Sequence, residues 1–380
     1  MEYALKLEFK NIAVLSVSGI GNTIFAVPML RLLRKQYPNA HIVLFVRFKA
    51  ARDLFQACPY VDEIIVVDYA ILKTLKERIQ FVLDIRQRKF DLCIIPFPSE
   101  KRDKNIFSFL TGAPVRISNS YVIDRITDLG FLQTKRIPVD VTIHDLDQNL
   151  RILEELGIDT SNADRTLQVW VSDEDKAFAK KYLQEKLGAD NLNKKLIVGF
   201  HAGSSEEFGM TYKRWAPENF ARLGDMILEK YDAEILLFGG PEEKELKQAI
   251  AKSMKRTPHI IEKTSLPKDA AIMDYCHLFV SNDSGNMNLA LAVGVKTIGL
   301  FGPVDSVRAD LKSEQHRIIQ SPAHCSPCWG LANITEPLIC TQPEVICMKK
   351  IAYDSVQKIV DEYLLSITVA DETQNEKRVA

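Results

Sequence analysis

Apolar residues in this chain alternate between short unbroken runs and longer stretches that recur every three or four positions. The runs predict buried strands, and the periodic stretches predict amphipathic helices. Residues 12–17 predict the first strand, which runs into Ser18-Gly19-Ile20-Gly21-Asn22. A helix pattern follows over 24–33, with Pro28 in its first part, where a missing N–H costs least. Strand, glycine turn and helix are the opening unit of a doubly wound sheet. The alternation continues with strands at 41–46, 64–67, 92–97 and 115–117, and helices at 50–57, 72–87 and 143–156. Gly157 is a good stop for the last of these helices. A second series begins with the strand 196–200, followed by strands at 235–238, 278–280 and 297–301 and helices at 217–230, 242–254 and 288–293. The charged stretch 173–195 joins the two series.

A length of 380 residues suits two domains. The pattern predicts an N-terminal Rossmann-like domain over 1–180, a C-terminal one over 190–350, a terminal helix over 351–367 and a disordered polar tail over 368–380. The formal net charge of -1 provides no basic field for non-specific nucleic-acid binding, so anion binding must be local. Glu2, Lys6, Glu8 and Lys10 interrupt any signal-peptide core, and no apolar run reaches membrane-spanning length. The expected location is the cytoplasm, and composition is compatible with contact at a membrane surface from that side.

Ligands of open α/β sheets bind outside the carboxyl ends of the strands, where the small-residue turns of this chain fall. The sharpest is Ser281-Asn282-Asp283-Ser284-Gly285-Asn286-Met287-Asn288, between a strand and a helix. Gly285 permits close backbone approach, and the amides of a helix start suit a phosphate. The plain alternative is a well-capped helix. The turn 201–205, with Gly203 and Ser204, has the same design and precedes Lys213-Arg214-Trp215, whose cations suit a diphosphate or simply face solvent. Gly239-Gly240-Pro241-Glu242 ends another strand; it can accept a flat base, with Glu242 on a ribose or base, or serve only as a turn. The fragment Gly19-x-Gly21 lacks the third glycine of a dinucleotide fingerprint, and no P-loop ending is present.

Taken in order, these elements resemble the ADP-heptose:lipopolysaccharide heptosyltransferase family, glycosyltransferase family 9. The resemblance runs through Ser18-Gly19-Ile20-Gly21-Asn22…Pro28, Thr111-Gly112-Ala113-Pro114-Val115-Arg116-Ile117 and His144…Asn149-Leu150…Leu153…Leu156-Gly157-Ile158. It continues through Lys213-Arg214-Trp215, Phe238-Gly239-Gly240-Pro241, Ser281-Asn282-Asp283-Ser284-Gly285 and Phe301-Gly302-Pro303. It implies an α/β chain of the GT-B fold, two facing Rossmann-like domains with a cleft between them. It further implies inverting, metal-independent transfer of a sugar, heptose first among the candidates, to lipopolysaccharide core or another surface glycan. The ADP-heptose-like donor would be held by Gly203, Ser204, Lys213, Gly239, Gly240, Glu242, Asp283, Ser284, Gly285 and Asn288. A lipid-linked or polysaccharide acceptor, with peripheral contact at the cytoplasmic face of the inner membrane, completes the expected partners; nucleic acid is not among them.

Two positions depart from the family pattern. The family usually carries Asp as its base after the first glycine turn, where this chain has Asn22, and an amide cannot take a proton at neutral pH. Another group then serves as base, or Asn22 only positions the acceptor, or the protein binds a sugar nucleotide without turnover. Asn288 stands where many members have His. Another GT-B enzyme, such as an epimerase, is the remaining alternative. The expected catalytic set is Asn22, Lys213 and Asp283.

Basic residues at the carboxyl edge of the first sheet, Arg47, Lys101 and Arg102, together with Gly21 and Asn22, form the expected acceptor side, as an acidic acceptor requires; solvated loop charges are the alternative. Near the end of the chain, Cys325, Cys328, Cys340 and Cys347 suit a structural zinc, with free thiols or a redox pair as alternatives. No cofactor is expected to be needed for catalysis.

Overall fold

The computed structural model describes residues 8–67, 74–98, 102–121, 126–330 and 337–379. The chain divides into two compact units. The first comprises the chain through Trp170 together with Val307–Ala309, and the second comprises the rest of the described chain. The division falls ten residues before the predicted domain end, because the helix Asp173–Leu187 packs within the second unit.

The first unit carries β1 (Asn11–Ser16), β2 (His41–Val46), β3 (Glu63–Val66), β4 (Leu92–Ile94), β5 (Val115–Ser120) and β6 (Lys135–Pro138). All neighbours are parallel, in the order β3-β2-β1-β4-β5-β6. Its helices are α1 (Ile20–Phe25), α2 (Val27–Gln36), α3 (Lys49–Phe55), α4 (Leu75–Gln87), α5 (Arg102–Leu110) and α6 (Asp145–Glu154). The predicted helix over 24–33 is thus two helices that break at Ala26, with Pro28 in the opening turn of the second. Gly157 adopts φ +76° just beyond α6, the left-handed conformation its stop signal requires. Fully buried Asn149 on α6 accepts from Phe97 N–H at 2.7 Å and donates to Phe25 O at 3.2 Å, tying the β4 exit to α1. Arg308 grips Asp145, at the start of α6, through two buried hydrogen bonds of 3.0 and 2.8 Å.

The second unit repeats the plan. Its strands are β7 (Leu196–His201), β8 (Ala233–Leu237), β9 (His259–Ile260), β10 (Leu278–Asn282), β11 (Thr297–Phe301) and β12 (His316–Gln320). The parallel order β12-β11-β10-β7-β8-β9 is the same winding as the first sheet, read from the opposite edge. Its helices are α7 (Asp173–Leu187), α8 (Ala189–Lys194), α9 (Pro217–Lys230), α10 (Lys244–Ser253), α11 (Leu266–Met273), α12 (Gly285–Ala292), α13 (Ile346–Lys349) and α14 (Tyr353–Val379). The last helix runs through Val379, where the polar composition predicts a disordered tail; the Ala, Glu, Gln and Lys of that stretch favour helix. Each sheet winds outward in both directions from a central switch point, between β1 and β4 in one and between β7 and β10 in the other. Among the described residues no helix is long and apolar enough to cross a membrane.

Candidate functional site

The switch point of the second sheet collects the predicted donor turns. β7 leads into Ala202–Ser205 and β10 into Asp283–Ser284, while β8, beside β7, leads into Gly239-Gly240. Buried Asn282 locks the first two turns together, donating to Ala202 O at 2.7 Å and accepting from Trp215 N–H at 3.0 Å. The Trp215 indole is 1% exposed and donates to Ile351 O at 3.0 Å. Burying so large a ring contributes on the order of 4 kcal/mol before entropy, so the Lys213-Arg214 loop is anchored by its own neighbour.

That anchoring brings together two side chains seventy positions apart. Lys213 Nζ donates to Asp283 Oδ2 at 3.0 Å, and both side chains keep some exposure, 12% and 18%. Ser284 caps α12, its hydroxyl accepting from Met287 N–H at 3.4 Å. Gly285, the first residue of the helix, is exposed. The Gly285 and Asn286 amides have no helical carbonyl within reach, so a cation and two N–H donors converge at the positive end of the helix dipole. Such an arrangement binds a phosphate and stabilises it as a leaving group.

The other predicted donor residues sort into three groups. Gly239 and Gly240 lie at the turn as expected, and exposed Glu242 folds over Gly240, its carboxylate within 2.2 Å of where a Gly240 methyl would stand. Asn288 is buried in the first turn of α12, and its Oδ1 has no hydrogen-bond partner among the described residues. Ser204 is committed to the loop itself: its hydroxyl donates to Met210 O at 2.8 Å and accepts from Arg214 Nε at 3.1 Å. Sequence reasoning chose Glu242 and passed over Glu243, although Glu243 is the buried one and accepts from Gly240 N–H at 2.9 Å. A Glu three residues after the helix-capping Gly240 is the legible signal for that bond.

In the first unit, Gly21 is buried in α1 and Asn22 lies half-buried in the first turn of that helix, at the exit of β1. Arg47 is exposed after β2, its guanidinium 4.8 Å from the Phe48 ring centre, and Arg102 is exposed at the start of α5. Lys101 lies outside the described residues. The neighbouring Lys104 is buried and donates to Pro98 O at 2.7 Å, so it serves the loop.

Cys325, Cys328, Cys340 and Cys347 take part in no disulfide among the described residues and line one small cavity of about 20 Å³. Burial pushes Cys347 up to about 11, and burial and the neighbouring sulfurs raise Cys328 as well. Among the described residues, however, no three His, Cys, Asp or Glu side chains come together closely enough to hold a metal ion.

Two units with the same parallel winding, the second gathering its small-residue turns at its switch point, have the fold of GT-B glycosyltransferases. The chain belongs to glycosyltransferase family 9 (heptosyltransferase), whose family model matches residues 84–339. It is 32% identical over 142 residues to Lipooligosaccharide heptosyltransferase 2 of Campylobacter jejuni, a match covering 36% of this chain and 43% of that protein. Lipopolysaccharide heptosyltransferase 2 of Escherichia coli aligns over 323 residues at 22% identity, 81% of this chain and 87% of that one. A solved family 9 glycosyltransferase from Veillonella parvula superposes with a TM-score of 0.76 at 22% identity, covering 95% of this chain and 99% of that chain. The solved E. coli ADP-heptose lps heptosyltransferase II gives a TM-score of 0.71 at 19% identity, covering 94% of this chain and 99% of that chain.

Proposed function

We propose that this chain is an inverting heptosyltransferase that moves heptose from ADP-heptose onto the core of lipopolysaccharide. The observation that carries the reading is the Lys213–Asp283 pair at the open N-terminus of α12. The donor diphosphate takes the place of Asp283 as partner of Lys213 and accepts from the Gly285 and Asn286 amides. Gly239 and Gly240 line the nucleoside, and the unpartnered Asn288 Oδ1 accepts a sugar hydroxyl.

The acceptor hydroxyl attacks the anomeric carbon from the face opposite the diphosphate. A carbon–oxygen bond forms there, the bond to the diphosphate oxygen breaks, and the nucleoside diphosphate leaves with the electron pair. Lys213 and the helix amides meet its growing charge, so the leaving group is stabilised by the chain's own groups. Asn22 orients the acceptor, and the hydroxyl proton passes to a different group, because an amide has no basicity at neutral pH. Arg47 and Arg102 meet an acidic acceptor. A lipid-linked acceptor brings the enzyme to the cytoplasmic face of the membrane that holds it.

Calorimetry with ADP on the wild type and on Lys213→Ala tests the donor half. The expected result is selective binding that weakens about tenfold or more in the variant, as loss of a charge-assisted contact implies. Heptose transfer from ADP-heptose to lipopolysaccharide core then tests the rest. An unbound ADP, or an affinity untouched by Lys213→Ala, would overturn the donor assignment.

A further inference from the structure

Three residues remote in sequence, His201, Glu243 and Ser284, meet in one buried chain of hydrogen bonds behind the donor turns. Glu243 Oε2 accepts from Gly240 N–H at 2.9 Å and lies 3.1 Å from His201 Nε2. The other ring nitrogen, Nδ1, is 3.0 Å from Ser284 Oγ. The His201 and Glu243 side chains are only 4% and 5% exposed. The glycines of the turns are shaped around the carboxylate: a methyl on Gly203 would lie 1.6 Å from Glu243 Oε1, and one on Gly239 2.5 Å from Oε2. One carboxylate therefore touches two turns, and one imidazole carries the contact to the third.

The direction of each bond follows from the chemistry of its ends. Burial opposes ionisation of Glu243, but the hydrogen bonds it accepts from His201 and the Gly240 amide help hold the carboxyl below its ordinary value. An ionised carboxylate only accepts, so Nε2 carries a hydrogen toward Glu243. In the neutral ring Nδ1 is then an acceptor, and Ser284 supplies the O–H. Ser281, the other hydroxyl nearby, already donates to Asn282 O at 2.7 Å. The Ser284 hydroxyl is thereby turned so that its lone pairs face Met287 N–H at the start of α12.

We infer that His201 is a positioning residue of the donor site: through Glu243 and Ser284 it couples the Gly239-Gly240 turn to the first turn of α12. The nucleoside and diphosphate ends of one ligand then meet a frame set in advance, which lowers the ordering cost of binding. The inference rests on the donor reading above, and its test separates the two.

His201→Gln keeps a donor where Nε2 lies and loses Ser284; His201→Asn keeps an acceptor where Nδ1 lies and loses Glu243. Amide hydrogen exchange on the ligand-free full chain reads the frame, and calorimetry with ADP reads its use. The expected result for His201→Gln is faster exchange at Met287 with Gly240 still protected, and the reverse for His201→Asn. Each variant binds ADP about tenfold more weakly, and Ser284→Ala adds little on top of His201→Gln because both break the same link. A brace that served stability alone would lower the melting temperature and leave the ADP affinity of the folded protein intact, which overturns the inference; so does unchanged exchange in both variants. Should the His201 variants fail to fold, Glu243→Gln and Ser284→Ala carry the same two readouts. Altered exchange in a protein that binds no ADP would sink the donor reading and leave the coupled frame in place.

Discussion

Burial lifts Asp269 to a pKa of about 6 against the opposing Thr264 hydrogen bond and Lys247 charge, and it pushes His316 down to about 4. The ordinary values are 3.8 and 6.5, so the two groups act on stability with opposite signs. Raised above its unfolded value, Asp269 contributes fully below about pH 3.8 and loses that contribution as pH rises through 6, about 3 kcal/mol by neutrality. Depressed below its unfolded value, His316 contributes fully above about pH 6.5 and loses about 3 kcal/mol as pH falls through 4. The two losses overlap and largely cancel in the wild type. Denaturant titrations should therefore find Asp269→Asn more stable by about 3 kcal/mol at pH 7.5, with the gain gone near pH 4. His316→Leu should lose less than wild type on acidification; an Asp269→Asn variant no more stable than wild type at pH 7.5 would refute the account. Asn22 supplies a test of the chemistry. A carboxylate placed there can take the acceptor proton, so Asn22→Asp should raise kcat on the order of tenfold or more and add an acidic limb to the pH–rate profile. An unchanged rate would mean that Asn22 does not stand beside the attacking hydroxyl.

At the level of elements, what the sequence reveals follows burial. The central strands β1, β2, β7, β8, β10 and β11 are buried on both faces and read as continuous apolar runs. The strands that pattern reading misses, β6, β9 and β12, all lie at sheet edges. Lys135, Arg136 and Pro138 in β6 and Arg317 in β12 break the apolar run, and His259–Ile260 is too short to make one. The helix near 24–33 was legible, but its break at Ala26 was not, since both pieces share one apolar pattern. The same logic holds at the site. Strand-end turns announce themselves through Gly, Ser, Asp and Asn, so the turns that hold Gly239, Asp283 and Gly285 were legible. Glu243 and His201 were not assigned roles, because a buried polar partner is recognised by what surrounds it in space, and here its neighbours come from β7, β8 and β10. Four clustered cysteines were legible as a group, whereas the distances among them were not.

The whole molecule consists of two sheets with the same winding, each over its own apolar core: Ala13, Val43, Phe45 and Cys93 belong to one, and Val198, Trp215, Ile235 and Val280 to another. Every residue assigned to the donor lies in the second unit. A unit with its own core unfolds as its own cooperative step, so a ligand should stabilise only the unit that binds it. ADP at a hundred times its Kd adds about 2.7 kcal/mol to that step, which is about a hundredfold in the slowest amide exchange. Native-state hydrogen exchange should then show the central amides of β7, β8 and β10 slowing by about that factor with ADP, while those of β1, β2 and β4 keep their rates. Slowing of both sheets together would mean that the two cores unfold as one step, and slowing confined to the first sheet would place the nucleotide in the wrong unit for Lys213 and α12 to hold it.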